Sequence, residues 1–133
     1  MSGEVLQPPG WASPVGYANG LAARGRLIFV AGQVGWNPET STVETDDFVA
    51  QAAQALRNVA AVVREGGGAS EHVARMTWFV TDKAAYLAAL PRLGIAYREV
   101  FGRHYPAMSV VVVAELLEPR ARVEIEATAV VPE

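Results

Sequence analysis

The sequence predicts an α+β fold: one domain over residues 1–133, a mixed sheet with two helices on one face. Three observations carry this. Residues 122–130 alternate, with Val123, Ile125, Ala127 and Ala129 on one side and Arg122, Glu124, Glu126, Thr128 and Val130 on the other, which is the period of a half-buried strand. Residues 46–65 repeat apolar groups at helical spacing and stop at three consecutive glycines, as an amphipathic helix does. The segments follow the order strand, strand, helix, strand, helix, strand, strand, which suits a layered sheet with helices gathered on one side.

Residues 1–14 carry three prolines, two glycines and Trp11 and read as an extended arm. Residues 15–22 form a weak edge strand, interrupted by glycine. The Ala23-Arg24-Gly25 turn leads into a strand over 26–34, and the two strands are expected to pair as a hairpin. Residues 35–45 form a loop turning at Asn37-Pro38. Thr45 is the expected N-cap of the first helix, with Asp46 and Asp47 in its first turn, where the helix dipole favours negative charge. Phe48, Ala52, Ala55, Val59, Val62 and Val63 make its apolar stripe, leaving Gln51, Gln54, Arg57 and Asn58 to solvent or an edge. Gly66 is the expected left-handed cap. The glycine run ends a helix and precedes no Lys-Ser/Thr, so it is no phosphate loop.

A strand over 73–80 follows. Pro91 divides the second helical region into a short piece over 83–89 and a helix over 90–101 with Pro91 near its start, because a mid-helix proline costs about 3 kcal/mol. The run Ser109 to Ala114 is continuously apolar and β-branched, the pattern of a strand buried on both faces. With the strand over 122–130 and a turn at Glu118-Pro119-Arg120, it predicts a C-terminal hairpin. Helices cover one sheet face only. The other has too few polar residues for water, so the pattern predicts an oligomer that buries it.

Half of the 133 residues are hydrophobic (51%), 19% are charged and the net charge is −3, which fits a globular chain. Lys83 is the sole lysine and the ten arginines are scattered, so phosphate-backbone binding is disfavoured. With no cysteine, disulfides, thiolate nucleophiles and Cys-ligated metals are excluded. The N-terminus lacks the basic and apolar regions of a signal peptide, and no apolar run approaches a membrane span. A cytoplasmic chain without membrane partners is expected. His72 and His104 are too isolated to predict a metal site.

Glu124 and Glu126 share the sheet face opposite Ile125. They are solvated if that face is bare. If an oligomer covers it, one becomes a partly buried acid of raised pKa, suited to proton transfer. Tyr17 is read first as packing, and Ser109 as a strand-end hydrogen-bonding group. Gly32 leaves room for a backbone or ligand to come close.

Gly16-Tyr17, the strand ending Ala31-Gly32-Gln33, Asn37-Pro38, Gln51 to Asn58, Phe79-Val80-Thr81-Asp82, Tyr97 to Phe101, Tyr105-Pro106-Ala107-Met108-Ser109 and Val123 to Ala127 occur in the order found in one family. Together they resemble the RidA family, also called YjgF. The resemblance implies a chorismate-mutase-like fold and a homotrimer whose sheets line a central barrel, with ligand clefts between subunits. It also implies hydrolysis of reactive enamines and imines to ketoacids and ammonia without metal or organic cofactor. Active members carry arginine in Pro-Ala-Arg-Ser, where the guanidinium clamps a substrate carboxylate. Met108 stands there instead and cannot do so. The family positions carry over as Tyr17, Gly32 and Glu124, with Glu124 positioning or deprotonating the attacking water and Ser109 and Val110 offering backbone to the ligand. Trp36 and Met108 would give the cleft an apolar wall. The expectation is a RidA-type deaminase with altered specificity for a small-molecule ligand. The alternative is a trimeric small-molecule binder without catalysis. A ribonuclease is disfavoured by the acidic balance.

Overall fold

The computed structural model describes residues 3–133; Met1 and Ser2, part of the expected N-terminal arm, lie outside the described residues. Strand β1 (Glu4–Leu6) pairs with β2 (Gly20–Ala22). Strand β3 (Arg26–Val34) is followed by a small ladder of β4 (Trp36–Asn37) and β5 (Thr42–Val43). Helix α1 (Phe48–Glu65), a 3-10 turn at Ser70–His72 and strand β6 (Val73–Val80) come next. Helices α2 (Lys83–Ala88) and α3 (Leu90–Phe101) precede β7 (Ala107–Val112) and β8 (Val123–Val131). The main sheet has the order β3-β8-β6-β7. Strand β8 runs antiparallel to both neighbours, and β6 and β7 are parallel. This is a mixed sheet, as expected.

The core lies between α1, α3 and one sheet face. Val30, Met76, Trp78, Val80, Val123 and Ile125 meet Ala52, Leu56, Val59, Val63 and Leu93 there. The alternation in β8 sorts as the sequence predicts: Val123, Ile125, Ala127 and Ala129 are buried, whereas Glu126 is exposed and Glu124 half-exposed.

Two expected hairpins do not form. Strand β2 is three residues long and joins β1, not β3; Gly16 at φ +81° takes the chain out of the extended region just before it. Strand β7 pairs with β6, and β8 lies on the far side of β6. Alternation shows which face a residue occupies, but not which strand is its neighbour. The connection over 113–122 is long enough to cross β6. It is held at the start of α1, where Gln51 Nε2 donates to the Arg120 carbonyl (3.1 Å) and Gln51 Oε1 accepts from the Arg122 N–H (2.8 Å). Arg120 also pairs with Asp46 at 2.9 Å. Nor is β7 buried on both faces: it is an edge strand with Val111 and Val112 exposed. Its β-branched run reports strand propensity rather than burial within one chain.

Helix α1 starts later than expected. Asp47 is the N-cap and accepts from the Ala50 N–H (2.9 Å), while the Thr45 hydroxyl accepts from the Asp47 N–H (3.1 Å). At its end Gly66 keeps φ −81° and Gly67 is the left-handed residue, at φ +87°. Gln51 and Asn58 are buried rather than solvated. Their spacing of seven puts them on the core face with Ala55. Gln51 serves the Arg120, Arg122 and Thr45 main chain. Asn58 Nδ2 donates to the Val34 and Trp36 carbonyls (3.3 and 3.0 Å), and Asn58 Oδ1 accepts from Gln54 (2.8 Å). Buried amides of this kind are tolerated because their hydrogen bonds are satisfied.

Both histidines serve the fold. His72 Nδ1 accepts from the Ala69 N–H (2.9 Å). His104 Nε2 donates to the Val73 carbonyl (2.6 Å), and the Tyr97 hydroxyl donates to the His104 carbonyl (2.6 Å). Tyr97 stacks on Phe101 and Tyr105; its burial, with Tyr105 beside it, pushes its hydroxyl pKa well above the usual value.

Candidate active site

Glu124 owes its position to the period-two pattern of β8 and to a bulge in β3. Val30 pairs with Ala127 and Gln33 pairs with Ile125. Ala31 and Gly32 therefore oppose the single residue Glu126, which is the geometry of a β-bulge, a device frequent beside active sites. The bulge brings Gly32 under the Glu124 carboxylate. A Cβ at position 32 would overlap that carboxylate. The sequence suggested that something approaches Gly32 closely; in this chain it is the Glu124 side chain. Trp36 lies just beyond, half-buried, after Val34, which pairs with Glu124. Gly32 and Glu124 thus meet near the β3 edge of the sheet.

The remaining expected residues gather at the opposite edge. The Ala18 N–H donates to the Pro106 carbonyl (3.0 Å) and Ala18 bridges Ala107. Tyr17, 41% exposed, is thereby held beside the start of β7. Adjacent residues of β7 point to opposite faces. Ser109 pairs with Thr77 and faces the open side with Glu124, whereas Met108 and Val110 pack against the core cluster on the helix side. Ser109 and Met108 therefore do not line one wall with their side chains. The edge of β7 still offers its backbone beyond the Ala18 bridge, since β6 occupies its other side.

One chain does not bring the two groups together. Glu124 pairs with Phe79, which pairs with Val111. Ser109 is thus two strands across and two residues along, about 12 Å away by ordinary sheet spacings, and Tyr17 is farther. The sheet carries two half-sites on opposite edges. One holds a carboxylate and a glycine bulge, the other a tyrosine and a free strand edge. Among the described residues, no cluster of His, Asp and Glu could hold a metal ion.

The open face between the half-sites is set with Phe29, Arg75, Thr77, Glu126 and Thr128, which line a depression of about 200 Å³. Apart from Glu126, weighed beside Glu124, these residues were not among the expected site residues. The alternation of residues 73–80 marks Arg75, Thr77 and Phe79 as one face, so the signal was present. Phe29 is 73% exposed and Leu27 53% exposed on the same face, unusual positions for large apolar groups in a strand's interior.

Comparison with known proteins places this architecture. The model of the family described as Endoribonuclease L-PSP matches residues 11–131. The chain belongs to this family, the RidA/YjgF group. Among its RidA relatives is a RutC family protein of Synechocystis, 34% identical over 99% of each chain. Another is a 2-iminobutanoate/2-iminopropanoate deaminase of Dermatophagoides farinae, 30% identical over 96% of this chain and 95% of that one. Among solved structures, the Rid-family protein YyfB of Yersinia pestis superposes with a TM-score of 0.84 at 31% identity, covering 98% of this chain and all of that one. Escherichia coli TdcF, whose structure holds bound serine, gives a TM-score of 0.68 at 32% identity over 98% of both chains. The α+β sheet with helices on one face is therefore a RidA-family fold.

Proposed function

We propose that the protein is a RidA-type deaminase that hydrolyses imines or enamines to a carbonyl compound and ammonia, working as a homotrimer with its site shared between copies. The observation that carries this reading is the split of the site residues between opposite edges of one sheet. A head-to-tail contact sets the Gly32-Glu124 edge of one copy against the Tyr17-Ser109 edge of the next, and such a contact forms a ring where its rotation closes. The exposed Phe29, Leu27 and Val111 supply apolar area to cover.

In this arrangement Glu124 takes a proton from a water as its oxygen adds to the C=N carbon. The carboxylic acid returns that proton to nitrogen, giving a carbinolamine; the carboxylate then takes the hydroxyl proton and passes it to the nitrogen as the C–N bond breaks, leaving the carbonyl compound and ammonia. The Tyr17 hydroxyl orients the substrate, and the edge amides of β7 bind it. The activity of the mite relative as a 2-iminobutanoate/2-iminopropanoate deaminase supports the reaction class. With Met108 where the family resemblance implies an arginine in active members, the substrate is one that does not depend on a carboxylate clamp, so small 2-iminoacids are poor substrates. The test is ammonia release from imines generated from a panel of amino acids and simple amines. Turnover that disappears in Glu124→Gln is the expected result. A wild-type protein that releases ammonia from none of them refutes the deaminase.

A further inference from the structure

Tyr17 stands on a loop that one side-chain amide closes. Strands β1 and β2 pair Glu4 with Ala22, Val5 with Leu21 and Leu6 with Gly20. The next rung of that register sets Gln7 opposite Asn19, and there side chains take over from the main chain. Gln7 Oε1 accepts from Asn19 Nδ2 (2.8 Å), and Gln7 Nε2 donates to the Trp11 and Ala12 carbonyls (3.2 and 3.1 Å). The oxygen and both N–H groups of one surface amide are thus in use. Inside the closed loop the Trp11 N–H donates to the Pro8 carbonyl (3.2 Å).

Tyr17 lies two residues before Asn19. Its side chain is largely exposed, so the main chain on either side has to set its place. On one side Ala18 is buried and bonded to the Pro106 carbonyl. On the other, Gly16 turns at φ +81°, a conformation open to glycine, and Val15 is bare. The Gln7-Asn19 rung ties that approach to the fold. We infer that Gln7 and Asn19 are positioning residues for Tyr17: the rung fixes how the chain enters Gly16-Tyr17, and so where the hydroxyl stands beside the start of β7. An alanine at position 7 keeps the β1–β2 pairs and opens the loop, so its effect is local. All of these contacts lie within one chain, and the device needs no bare surface. Its part in turnover rests on the deaminase reading; its hold on Tyr17 does not.

Fluorine NMR of the full chain labelled with 3-fluorotyrosine tests this. The chain has four tyrosines, and Tyr17→Phe identifies the Tyr17 signal. In Gln7→Ala, and in Asn19→Asp, whose carboxylate cannot donate, that signal is expected to move toward the free amino acid and sharpen. The signals of Tyr86, Tyr97 and Tyr105 and the urea midpoint should hold. Turnover of the imine generated from benzylamine by an amine oxidase is the second readout. Each variant is expected to lower kcat/KM by about ten- to a hundredfold. Adding Gln7→Ala to Tyr17→Phe should cost no more than about twofold further, because residues acting through one hydroxyl are not additive. A Tyr17 signal unmoved in both variants overturns the inference. So do fully additive kinetic losses, and so does movement of all four signals with a lower midpoint, which makes the rung a general support of the fold. A wild type that releases no ammonia refutes the deaminase alone, since the fluorine signal still decides whether the rung holds Tyr17.

Discussion

A methyl group on Gly32 would meet the Glu124 carboxylate. Gly32→Ala is therefore expected to displace the acid and lower ammonia release by about a hundredfold, the scale of a roughly 1 Å misplacement of a catalytic group. Because position 32 is exposed, the urea midpoint should stay nearly constant, which separates loss of positioning from loss of fold. Met108 carries a second residue-scale prediction. Its side chain packs toward the core, so Met108→Arg has to leave that packing before a guanidinium can reach the β7 edge. New turnover of 2-iminoacids in that variant would show that only the clamp was missing. At this scale Glu124 was legible, because alternation alone fixes its face. The Gly32-Glu124 contact was not, because it depends on a bulge that no composition marks. Met108, Ser109 and Val110 are consecutive in sequence but their side chains divide between two faces.

Helix α1 and the 113–122 connection depend on each other through Gln51. Truncation in Gln51→Ala leaves the Thr45 and Arg120 carbonyls and the Arg122 N–H without their partner. A loss of about 2–4 kcal/mol is expected, read as a lower denaturant midpoint with unchanged slope. Asp47→Ala removes the N-cap and should cost about 1 kcal/mol. The Ala50 N–H holds the Asp47 carboxyl below its usual pKa. A group whose pKa is lowered by folding stabilises above its unfolded value, about 3.9, and loses that contribution as pH falls through the folded value. The difference between wild type and Asp47→Ala should therefore be full at pH 6 and shrink as pH drops below about 4. Urea titrations at both ends of that range check it. The helices and the strands over 26–34 and 73–80 were legible because period and caps are local. The pairing of β7 with β6 was not. It is set by what the connection docks on, and the anchor, Gln51, looked like a solvated polar residue.

For the molecule as a whole, the open sheet face and the two edges make one argument. Phe29 and Leu27 lie exposed on a strand whose other face is core. The proposed ring of copies would bury them, so Phe29→Asp is expected to shift the elution of a trimer to that of a monomer and to abolish turnover together with assembly. That helices leave one sheet face uncovered was legible, but its polarity was not: Arg75, Thr77, Glu126 and Thr128 stand there beside Phe29 and Leu27, where the sequence pattern suggests too few polar groups for water. The division of the site between edges emerged only once the strand order placed β3 and β7 at opposite ends. Subunit mixing tests this division most directly. Glu124→Gln and Tyr17→Ala are each expected to be inactive, since each spoils a different half-site. When they are mixed in equal amounts and allowed to exchange, about a quarter of the clefts should unite two intact halves in a head-to-tail ring, with a matching return of ammonia release. Mixed oligomers that form and remain inactive would contradict a site shared between copies.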